Sequence, residues 1–483
     1  MSKFNVPNYK PNVVQNYEGA PAYRESPKLE LVSILATSFV EDKFYRSAGE
    51  EAARVITLIE NIEDKKFVAK AAIYARNVWG MRSISHLVAA VIAHKVKNKS
   101  WTKNFMEGVV FRVDDMAEIL SCYLRLYTKP IPNLLKKGFA LAFNKFNEYQ
   151  LAKYRNETSA IKLVDVVNLV HPVPNDINKE ALRKLINGEL KSLEIWETKL
   201  TQAGQVAETE EEKAILKENA WAQLLNEEKL GYFALLRNLR NIIEQCPDMV
   251  ATACHQLIDR DAIKKSLILP FRFATAYREI GQLKSGKIRL VQEALNLAIN
   301  TSLDNVPRYE GKTAILVDVS GSMSDDYGEK STIDIASLFA AALYKTNDAD
   351  MVAFSGDAHW VRANPSDSIF TIANGLKSMV GGSTNLNLAI RLLNRRYDRI
   401  IILSDEQNWD ENKTAAGDVN VYKKTYSATP IVYSFDIAGY GTLQIPEKDV
   451  YCLAGWSDKV FDIMKFLESD KEALINEIEK VEL

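Results

Sequence analysis

The sequence has few of the residues that form disulfide frameworks and zinc sites. Four cysteines and five histidines occur among its 483 residues. No two cysteines have the C-x-x-C spacing, and no two histidines have the H-x-x-x-H spacing. A disulfide framework, a zinc knuckle and a histidine-ligated metal are therefore not expected. Because cysteine is often buried, we predict that the four cysteines are core residues: Cys122, Cys246, Cys254 and Cys452.

Long apolar runs are also missing. No run approaches the length that crosses a bilayer, and the first ten residues lack the charged-then-apolar layout of a secretory signal. Apolar residues make up 47% of the chain and charged residues 26%, the balance of an ordinary globular protein. We predict a cytoplasmic protein of two or three domains that does not contact a membrane.

Positive charge is unevenly distributed. Residues 1–170 carry 25 Lys and Arg against 17 Asp and Glu, whereas the remainder carries 36 against 46. A basic part joined to an acidic part indicates polyanion binding by the basic part. An alternative explanation of this uneven charge distribution is that the charged residues only solvate the protein surface.

From Leu29 to Ile299 the apolar residues recur at helical spacing, one segment after another. Short helices with brief connections are typical of antiparallel helical repeats, and the absence of a strict sequence period makes these repeats degenerate. The pattern changes near residues 300–310. We then predict a doubly wound parallel sheet with strands at 313–318, 351–354, 399–403 and 431–435 and helices at 334–344 and 386–393.

Oxygen-bearing side chains follow the first of these strands. Asp318, Ser320 and Ser322 alternate along extended backbone, so they can converge on one point where the chain leaves the sheet. A carboxylate and two hydroxyls are hard ligands of the kind that Mg²⁺ prefers. Loops at the carboxyl ends of other strands, containing Thr384 and Asp405, are expected to complete the site. Ser383 is the alternative to Thr384.

This set resembles the metal-ion-dependent adhesion site of von Willebrand factor A domains, with the pattern D-x-S-x-S, then Thr, then Asp. The resemblance implies that Mg²⁺ or another divalent cation binds Asp318, Ser320, Ser322, Thr384 and Asp405 and keeps one position for an acidic side chain of a partner. The alternative is an A-type fold without a functioning metal site. No histidine lies near Ser320 or Ser322 in sequence to take a hydroxyl proton, so catalysis by these serines is not expected.

The helical half contains a second recognisable pattern. Residues 148–155 (EYQLAKYR), 161–166 and 170–172 are similar to the central signature of the TROVE module, which is found in the Ro autoantigen, telomerase-associated protein and vault proteins. Further matches are Asn16–Gly19, Leu235–Asn241 and Leu269–Arg272. In Ro proteins an A-type domain follows the TROVE module directly, and the predicted A-type domain has the same position in this sequence. The predicted domains are therefore residues 1–305, a TROVE helical-repeat domain, and residues 306–483, the A-type domain.

The resemblance implies a ring of HEAT-like helical repeats, closed by the A-type domain, for which a monomer is sufficient. It also implies binding of small noncoding (Y-like) RNA on the outer basic surface, and of single-stranded 3′ ends of misfolded RNA in the central hole, as a scaffold in RNA quality control. Lys153 and His171 match positions associated with Y RNA binding. At a further basic position this chain has Glu157, with Arg155 as a substitute. Degradation in such a pathway would come from a separate nuclease partner.

Without the resemblance, basic residues still recur through this segment. Each Lys or Arg that contacts a phosphate releases counterions and adds affinity that falls with salt. Tyr149 and Tyr154 are stacking platforms or, alternatively, core aromatics, and His171 is alternatively a turn histidine.

No carboxylate cluster, histidine pair or Walker loop suited to phosphoryl chemistry is present, so we predict a binding protein and not an enzyme. A protein–protein adaptor that uses the metal site is the alternative function. The predicted RNA contacts are Lys136, Lys137, Lys145, Lys153, Arg155, Lys162 and His171.

Overall fold

The computed structural model describes residues 12–15, 21–24, 26–37, 48–155, 159–190, 199–200, 204, 209–324, 331–407, 415–438, 445, 450–454, 459–469 and 473–483. None of the helices in these ranges is both long and apolar enough to span a bilayer.

The first part of the chain is a succession of short helices, as the apolar spacing predicts. We call residues 27–302 the helical array. Its helices are α1 (Pro27–Thr37), α2 (Ala48–Asn61), α3 (Lys65–Asn77), α4 (Ser83–Lys95), α5 (Thr102–Val109), α6 (Asp115–Tyr127), α7 (Asn133–Ala142), α8 (Glu148–Lys153), α9 (Leu163–Val170), α10 (Lys179–Ile186), α11 (Glu210–Asn226), α12 (Tyr232–Gln245), α13 (Val250–Leu257), α14 (Arg260–Ser266), α15 (Pro270–Gly281) and α16 (Ile288–Ser302).

Local signals set the starts of the helices that carry the signature motifs. Asn147 and Gln150 form a capping box at α8, in which each side chain accepts a hydrogen bond from the other residue's backbone N–H at 3.0 and 3.1 Å. Pro270 occupies the first turn of α15, where the N–H that proline lacks would have no helical partner.

An antiparallel hairpin of β1 (Asn12–Gln15) and β2 (Pro21–Arg24) precedes the array and was not predicted. The motif Asn16–Gly19 lies outside the described residues.

Residues 313–479 form a region that we call the α/β region. Its strands are ordered β5-β4-β3-β6-β7-β8, and all but the edge strand β5 are parallel to their neighbours. The predicted parallel sheet is confirmed, whereas β5, β8, α18 and α20 to α22 were not predicted. The strands are β3 (Thr313–Asp318), β4 (Ala349–Phe354), β5 (Ala358–Val361), β6 (Arg399–Ser404), β7 (Ile431–Asp436) and β8 (Val450–Ala454), and the helices are α17 (Thr332–Thr346), α18 (Ile369–Lys377), α19 (Leu386–Leu392), α20 (Ala415–Thr425), α21 (Val460–Ser469) and α22 (Ala473–Glu479).

The sheet is buried on both faces, and its alternating side chains enter two different cores. Ile315 and Val317 belong to a core that is continuous with the helical array. Ala314 and Leu316 face the second core, which α19 and α20 cover. This alternation explains why β3 reads as an unbroken apolar run in the sequence.

The α/β region contacts both ends of the helical array. At one end α1 packs against β8, and α22 packs against α3. Lys28 and Lys70 both pair with the carboxylate of Glu479 there, at 3.6 and 3.4 Å. At the other end α15 packs against α17, with the Phe271 and Phe339 ring centroids 6.2 Å apart. The chain therefore closes into a ring, as predicted.

Candidate nucleic-acid interface and metal centre

Two carboxylates meet at the carboxyl edge of the sheet. Asp318 is the last residue of β3, and Asp405 follows the adjacent strand β6. Asp318 accepts hydrogen bonds from the backbone N–H of Ser320 at 2.9 Å and from the Ser404 hydroxyl at 2.6 Å. The Ser320 and Ser322 hydroxyl oxygens lie 3.2 Å apart, and Ser322 donates to Asp405. Four of the five predicted metal ligands therefore lie together. The predicted extended backbone ends at Asp318, however, and a short 3-10 helix (Gly321–Ser324) carries Ser322.

The loop that carries the fifth predicted ligand is fastened to the loop after β3. The N–H of Gly321 donates to the carbonyl of Gly382 at 3.0 Å, and the N–H of Gly381 donates to the carbonyl of Val319 at 2.8 Å. Gly382 has a φ of +79°, which favours glycine. Thr384 is buried and Ser383 is exposed. Thr384 is thus the buried one of the two residues that the sequence left as alternatives.

The electrostatics of this cluster fit a hard divalent cation. Asp318 is fully buried and Asp405 is 2% exposed. Burial raises the pKa of both carboxyls above the ordinary aspartate value, and the charge of Asp318 raises the pKa of Asp405 further. Within the described residues no three His, Cys, Asp or Glu side chains form a metal cluster, so a cation here would be held by two carboxylates and the hydroxyls. Such a cation would supply the positive charge that two buried carboxylates lack.

The signature helix α8 places basic and aromatic side chains together. The Lys153 ammonium lies 5.7 Å from the ring centroid of Tyr149 and 5.5 Å from that of Tyr154. The guanidinium of Arg112, from the connection between α5 and α6, lies 4.1 Å from the Tyr154 ring. Tyr149 is 49% exposed, so its ring is open to a stacking partner. Arg112 was not predicted here because it lies far from α8 in the sequence.

Two of the predicted RNA contacts also bind the protein itself. Lys145 donates to the backbone carbonyls of Glu107 and Val110 (2.6 Å for Val110), so it caps the carboxyl end of α5. Within the described residues these two bonds leave one of its three N–H groups for a phosphate. Arg155 donates to the carbonyl of Leu190. The structure thus gives both residues a role in holding helices together, which the charge pattern did not indicate.

The other predicted contacts lie on helices α7 and α9. Lys136 is half-buried and Lys137 is exposed on α7, and exposed Lys162 precedes α9. In the described part of the chain their side chains have no ion pair or hydrogen bond. His171 is exposed and ends α9 in the left-handed region, with a φ of 46°. That backbone position fits the turn-histidine interpretation, and exposure leaves its ring accessible.

A buried ionic network lies behind this surface. Asp115 is fully buried and accepts hydrogen bonds from Arg76 at 3.0 Å, from Arg82 at 3.2 Å and from the backbone N–H of Arg112 at 2.8 Å, and its carboxylate lies 3.0 Å from His86. The Arg112 side chain pairs with the adjacent Asp114 at 2.6 Å. Burial alone would raise the pKa of Asp115, but the hydrogen bond and charge of His86, the charge of Arg76 and the N–H of Arg112 lower it well below its ordinary value. The network therefore fixes the position of Arg112, whose guanidinium lies over the Tyr154 ring.

A second basic surface lies in the later helices and was not among the predicted contacts. A groove of about 490 Å³ between α12 and α15 is lined by Arg237, Arg240 and Arg272, and Glu279 is the single acidic residue among its described lining residues. Arg240 also pairs with Glu244 on α12, at 3.2 Å. All three arginines are exposed. Phe233 is 44% exposed at the groove, and the Arg237 guanidinium lies 5.8 Å from its ring centroid. We call these four residues, Phe233, Arg237, Arg240 and Arg272, the arginine groove.

The sequence contained a partial signal for the arginine groove. Arg237 and Arg240 are three residues apart, so they share one helical face. Both lie in the Leu235–Asn241 motif, and Arg272 ends the Leu269–Arg272 motif. These motifs carry the family resemblance, but their arginines join in one groove only once α12 and α15 pack against each other.

Comparison with known proteins gives two domain matches. The TROVE domain matches residues 190–320, and the von Willebrand factor type A domain matches residues 313–407. The first range includes the arginines of the groove, and the second includes all five predicted metal ligands. Neither match indicates a catalytic family.

Relatives and a solved structure extend the comparison. Telomerase protein component 1 of Mus musculus is 22% identical over 363 residues, or 58% of this chain, and that of Rattus norvegicus is 24% identical over 140 residues, or 27% of this chain. The chain spans only 14% and 5% of the lengths of these two relatives. The crystal structure of the Deinococcus radiodurans Ro (RSR) protein aligns with 91% of this chain and 98% of its own, at a TM-score of 0.66 and 17% identity. This chain therefore joins a TROVE domain to a von Willebrand factor type A domain in the fold of a Ro protein.

Proposed function

We propose that this protein binds RNA and serves as a scaffold in RNA quality control. Small noncoding (Y-like) RNA binds the surface around Lys153 and His171, and single-stranded 3′ ends of misfolded RNA bind in the arginine groove. The observation that carries the proposal is the arginine groove itself, in which three exposed arginines and one acidic residue line a groove beside an exposed phenylalanine. The exposed ion pair of Arg240 with Glu244 leaves the other N–H groups of that guanidinium for a phosphate.

The chemistry of the arginine groove suits an unpaired strand. Arginine pairs with phosphate oxygens in a planar, bidentate way, and spacing along two helices lets successive phosphates be contacted. Phe233 offers a ring face on which any base can stack without a sequence preference. Duplex RNA hides its bases in the stack, so the aromatic contact favours single strands.

The surface around Lys153 suits a structured RNA. Lys153 and Arg112 both place positive charge close to the Tyr154 ring, and the exposed ring of Tyr149 lies beside Lys153. The excess of basic residues in residues 1–170 adds a long-range attraction for polyanions. We further propose that the protein acts without catalysis, as a cytoplasmic monomer, and that any RNA degradation is carried out by a separate nuclease partner.

The proposal is tested with a labelled RNA hairpin that has a single-stranded 3′ tail. The affinity is expected to fall steeply as salt rises from about 50 to 200 mM, because bound phosphates release counterions. Lys153→Ala is expected to weaken binding at every salt concentration and to reduce the salt slope by about one. Lys480→Ala, which changes an exposed lysine just after the α/β region, is the matched control and is expected to bind like the wild type. Equal retention at low and high salt, or no binding, would remove the electrostatic mechanism.

A protein–protein adaptor is the second candidate function, because five oxygen-bearing residues lie at one edge of the sheet. A divalent cation held by Asp318, Ser320, Ser322, Thr384 and Asp405 would offer its charge to an acidic side chain of a partner. This function predicts that Asp318→Ala abolishes capture of that partner while RNA is never co-purified.

The metal proposal has a test that does not depend on a partner. Mg²⁺ at about 100 times its dissociation constant is expected to raise the free energy of unfolding by about 2.7 kcal/mol relative to protein in EDTA. Asp318→Asn is expected to remove this response. In EDTA the same variant is expected to be at least as stable as the wild type, because it removes one of two coupled buried carboxylates. Urea unfolding with and without Mg²⁺ measures both effects, and Asp304→Asn, an exposed aspartate, is the control. An undiminished Mg²⁺ response in Asp318→Asn would contradict the site.

A further inference from the structure

A pocket of about 250 Å³ lies where the helical array meets the α/β region. Helix α15 of the array forms one wall, and α17 and α18 of the α/β region form the others. Most of the lining is apolar or aromatic, and the rings of Tyr277 and Phe370 face each other across the two regions with centroids 4.7 Å apart. The main apolar lining residues are Phe271, Tyr277, Ile335, Leu338, Phe370 and Ala373.

Three charged side chains line the same pocket and leave it with an excess positive charge. Arg278 and Lys377 both donate to the carboxylate of Asp334, at 3.3 and 2.5 Å. Burial would raise the pKa of Asp334, but Lys377 and Arg278 hold it below the ordinary aspartate value, so this carboxylate is charged at neutral pH. Two cations and one anion leave a net charge of about +1.

One nitrogen of this cluster has no partner. The Nη2 atom of Arg278 is buried and makes no hydrogen bond to any described residue. A buried donor without an acceptor loses its hydration and gains nothing in return, which costs free energy. This nitrogen is enclosed by protein atoms, whereas about a third of the Arg278 side chain is exposed, so the guanidinium as a whole is accessible from the pocket. A second anion beside Asp334 would neutralise the remaining charge.

We propose that this pocket binds a small organic monoanion: a carboxylate or sulfonate on an aromatic or aliphatic body. The apolar walls hold the body, and Arg278, with Lys377 nearby, holds the charged group. A pocket of this volume is slightly below the range of drug-sized ligand sites, which limits the body to about one ring system. This proposal is independent of RNA binding.

The position of the pocket gives its ligand an effect on the ring. Because α15 belongs to the helical array and α17 and α18 to the α/β region, a bound ligand contacts both regions at once. A ligand that binds only the closed ring stabilises it by mass action. Binding is therefore expected to raise the thermal unfolding temperature in proportion to the logarithm of the ligand concentration above its dissociation constant.

The proposal is tested with naphthoate as the probe and the uncharged naphthalenemethanol as its matched control, by titration calorimetry and thermal unfolding of the full chain. Naphthoate is expected to bind and to raise the unfolding temperature, and the alcohol is expected to bind at least about tenfold more weakly, because it lacks the charge-assisted hydrogen bond. Equal binding of both compounds, or no binding of naphthoate, would overturn the proposal.

Variants of Arg278 test whether this residue holds the anion. Arg278→Met keeps the length of the side chain and leaves Asp334 paired with Lys377, so the fold is expected to persist and the naphthoate affinity to fall about tenfold. Arg278→Lys, which keeps the charge, is expected to retain more affinity than Arg278→Met. Arg289→Met, at an exposed position on α16, is expected to leave the affinity unchanged. An unchanged affinity in Arg278→Met would show that the anion is held elsewhere.

Discussion

Replacing Arg237, Arg240 and Arg272 together with alanine is expected to lower the affinity for single-stranded RNA about 1000-fold at low salt, or roughly tenfold for each arginine. The three side chains are exposed and line one groove, so each can contact a phosphate with a charge-assisted hydrogen bond. The salt dependence is expected to fall at the same time. The slope of log affinity against log salt should become shallower by about two, since each phosphate contact to a single strand contributes about 0.7.

The control for this variant carries the same change in net charge. Arg260, Arg289 and Arg395 are exposed arginines outside the groove, with side chains 77%, 91% and 51% exposed. Their triple alanine variant removes three positive charges and leaves the groove intact. It is expected to lose only a small part of the affinity, through the long-range field. Similar losses in both triple variants would show that net charge, and not the groove, holds the RNA.

Replacement of Phe233 separates the contribution of base stacking to RNA affinity from the contribution of the arginine charges. Phe233→Ala in the same assay removes one stacking contact, which is worth about 1–3 kcal/mol for each base. Because this loss involves no phosphate, the affinity is expected to fall while the salt slope stays as in the wild type. Phe233 is 44% exposed at the groove, so a large part of its ring is open to a base and is not packed against the fold.

The grouping of oxygen-bearing side chains at the carboxyl end of the sheet could be predicted in part, because it follows from the order of the strands. Asp318, Ser320 and Ser322 are spaced two residues apart, and the sequence predicts extended backbone through all three. That prediction is wrong in its geometry: only Asp318 lies in the strand, and the chain then turns into a short 3-10 helix at Gly321–Ser324, which still keeps the two hydroxyls near Asp318. Asp405 follows a strand that parallel pairing places beside β3. The choice between Ser383 and Thr384 could not be made from the sequence, because it depends on which side chain the glycine loop turns into the site.

The nucleic-acid surfaces could be predicted only in part, because they depend on packing between helices. Charge density directed attention to residues 136–171, where Lys145 is mostly occupied by the carbonyl groups that end α5. A sequence shows that a lysine is charged but not which backbone carbonyls lie within its reach. The arginine groove was missed for the same reason, since Arg237 and Arg272 are brought together only by the contact between α12 and α15.

Asp115 shows how a buried charge links the fold of the helical array to its RNA-binding surface. Its carboxylate joins Arg76 of α3 and His86 of α4 to the N–H groups of Phe111 and Arg112 that precede α6. Three helices, α3, α4 and α6, are therefore joined through one side chain. Because Arg112 in turn covers Tyr154, the position of α8 also depends on it.

Asp115→Ala is expected to lower the free energy of unfolding by about 3–5 kcal/mol, measured by urea unfolding at neutral pH. The loss is large because Arg76, with a side chain only 3% exposed, would keep its charge without a counterion. Asp304→Ala breaks an ion pair with Arg260 of similar length, 3.0 Å, on the surface, and is expected to cost less than about 1 kcal/mol. Equal losses in the two variants would contradict a special role for the buried network.

The same network predicts how stability depends on pH. The pKa of Asp115 is lower in the folded chain than its ordinary value of 3.8, so its contribution to stability is fully present above that value and is lost as the pH falls below it. Wild-type protein is therefore expected to lose stability faster than Asp115→Ala as the pH falls below about 4, and the gap between the two should narrow. If the gap instead stays constant into strong acid, Asp115 does not titrate as a stabilising carboxylate.

The same variant is also expected to affect RNA binding. Asp115 holds the backbone of Arg112, whose guanidinium lies over the Tyr154 ring, so Asp115→Ala is expected to bind Y-like RNA more weakly at neutral pH. Binding of single-stranded RNA in the arginine groove, which lies on other helices, is expected to be retained.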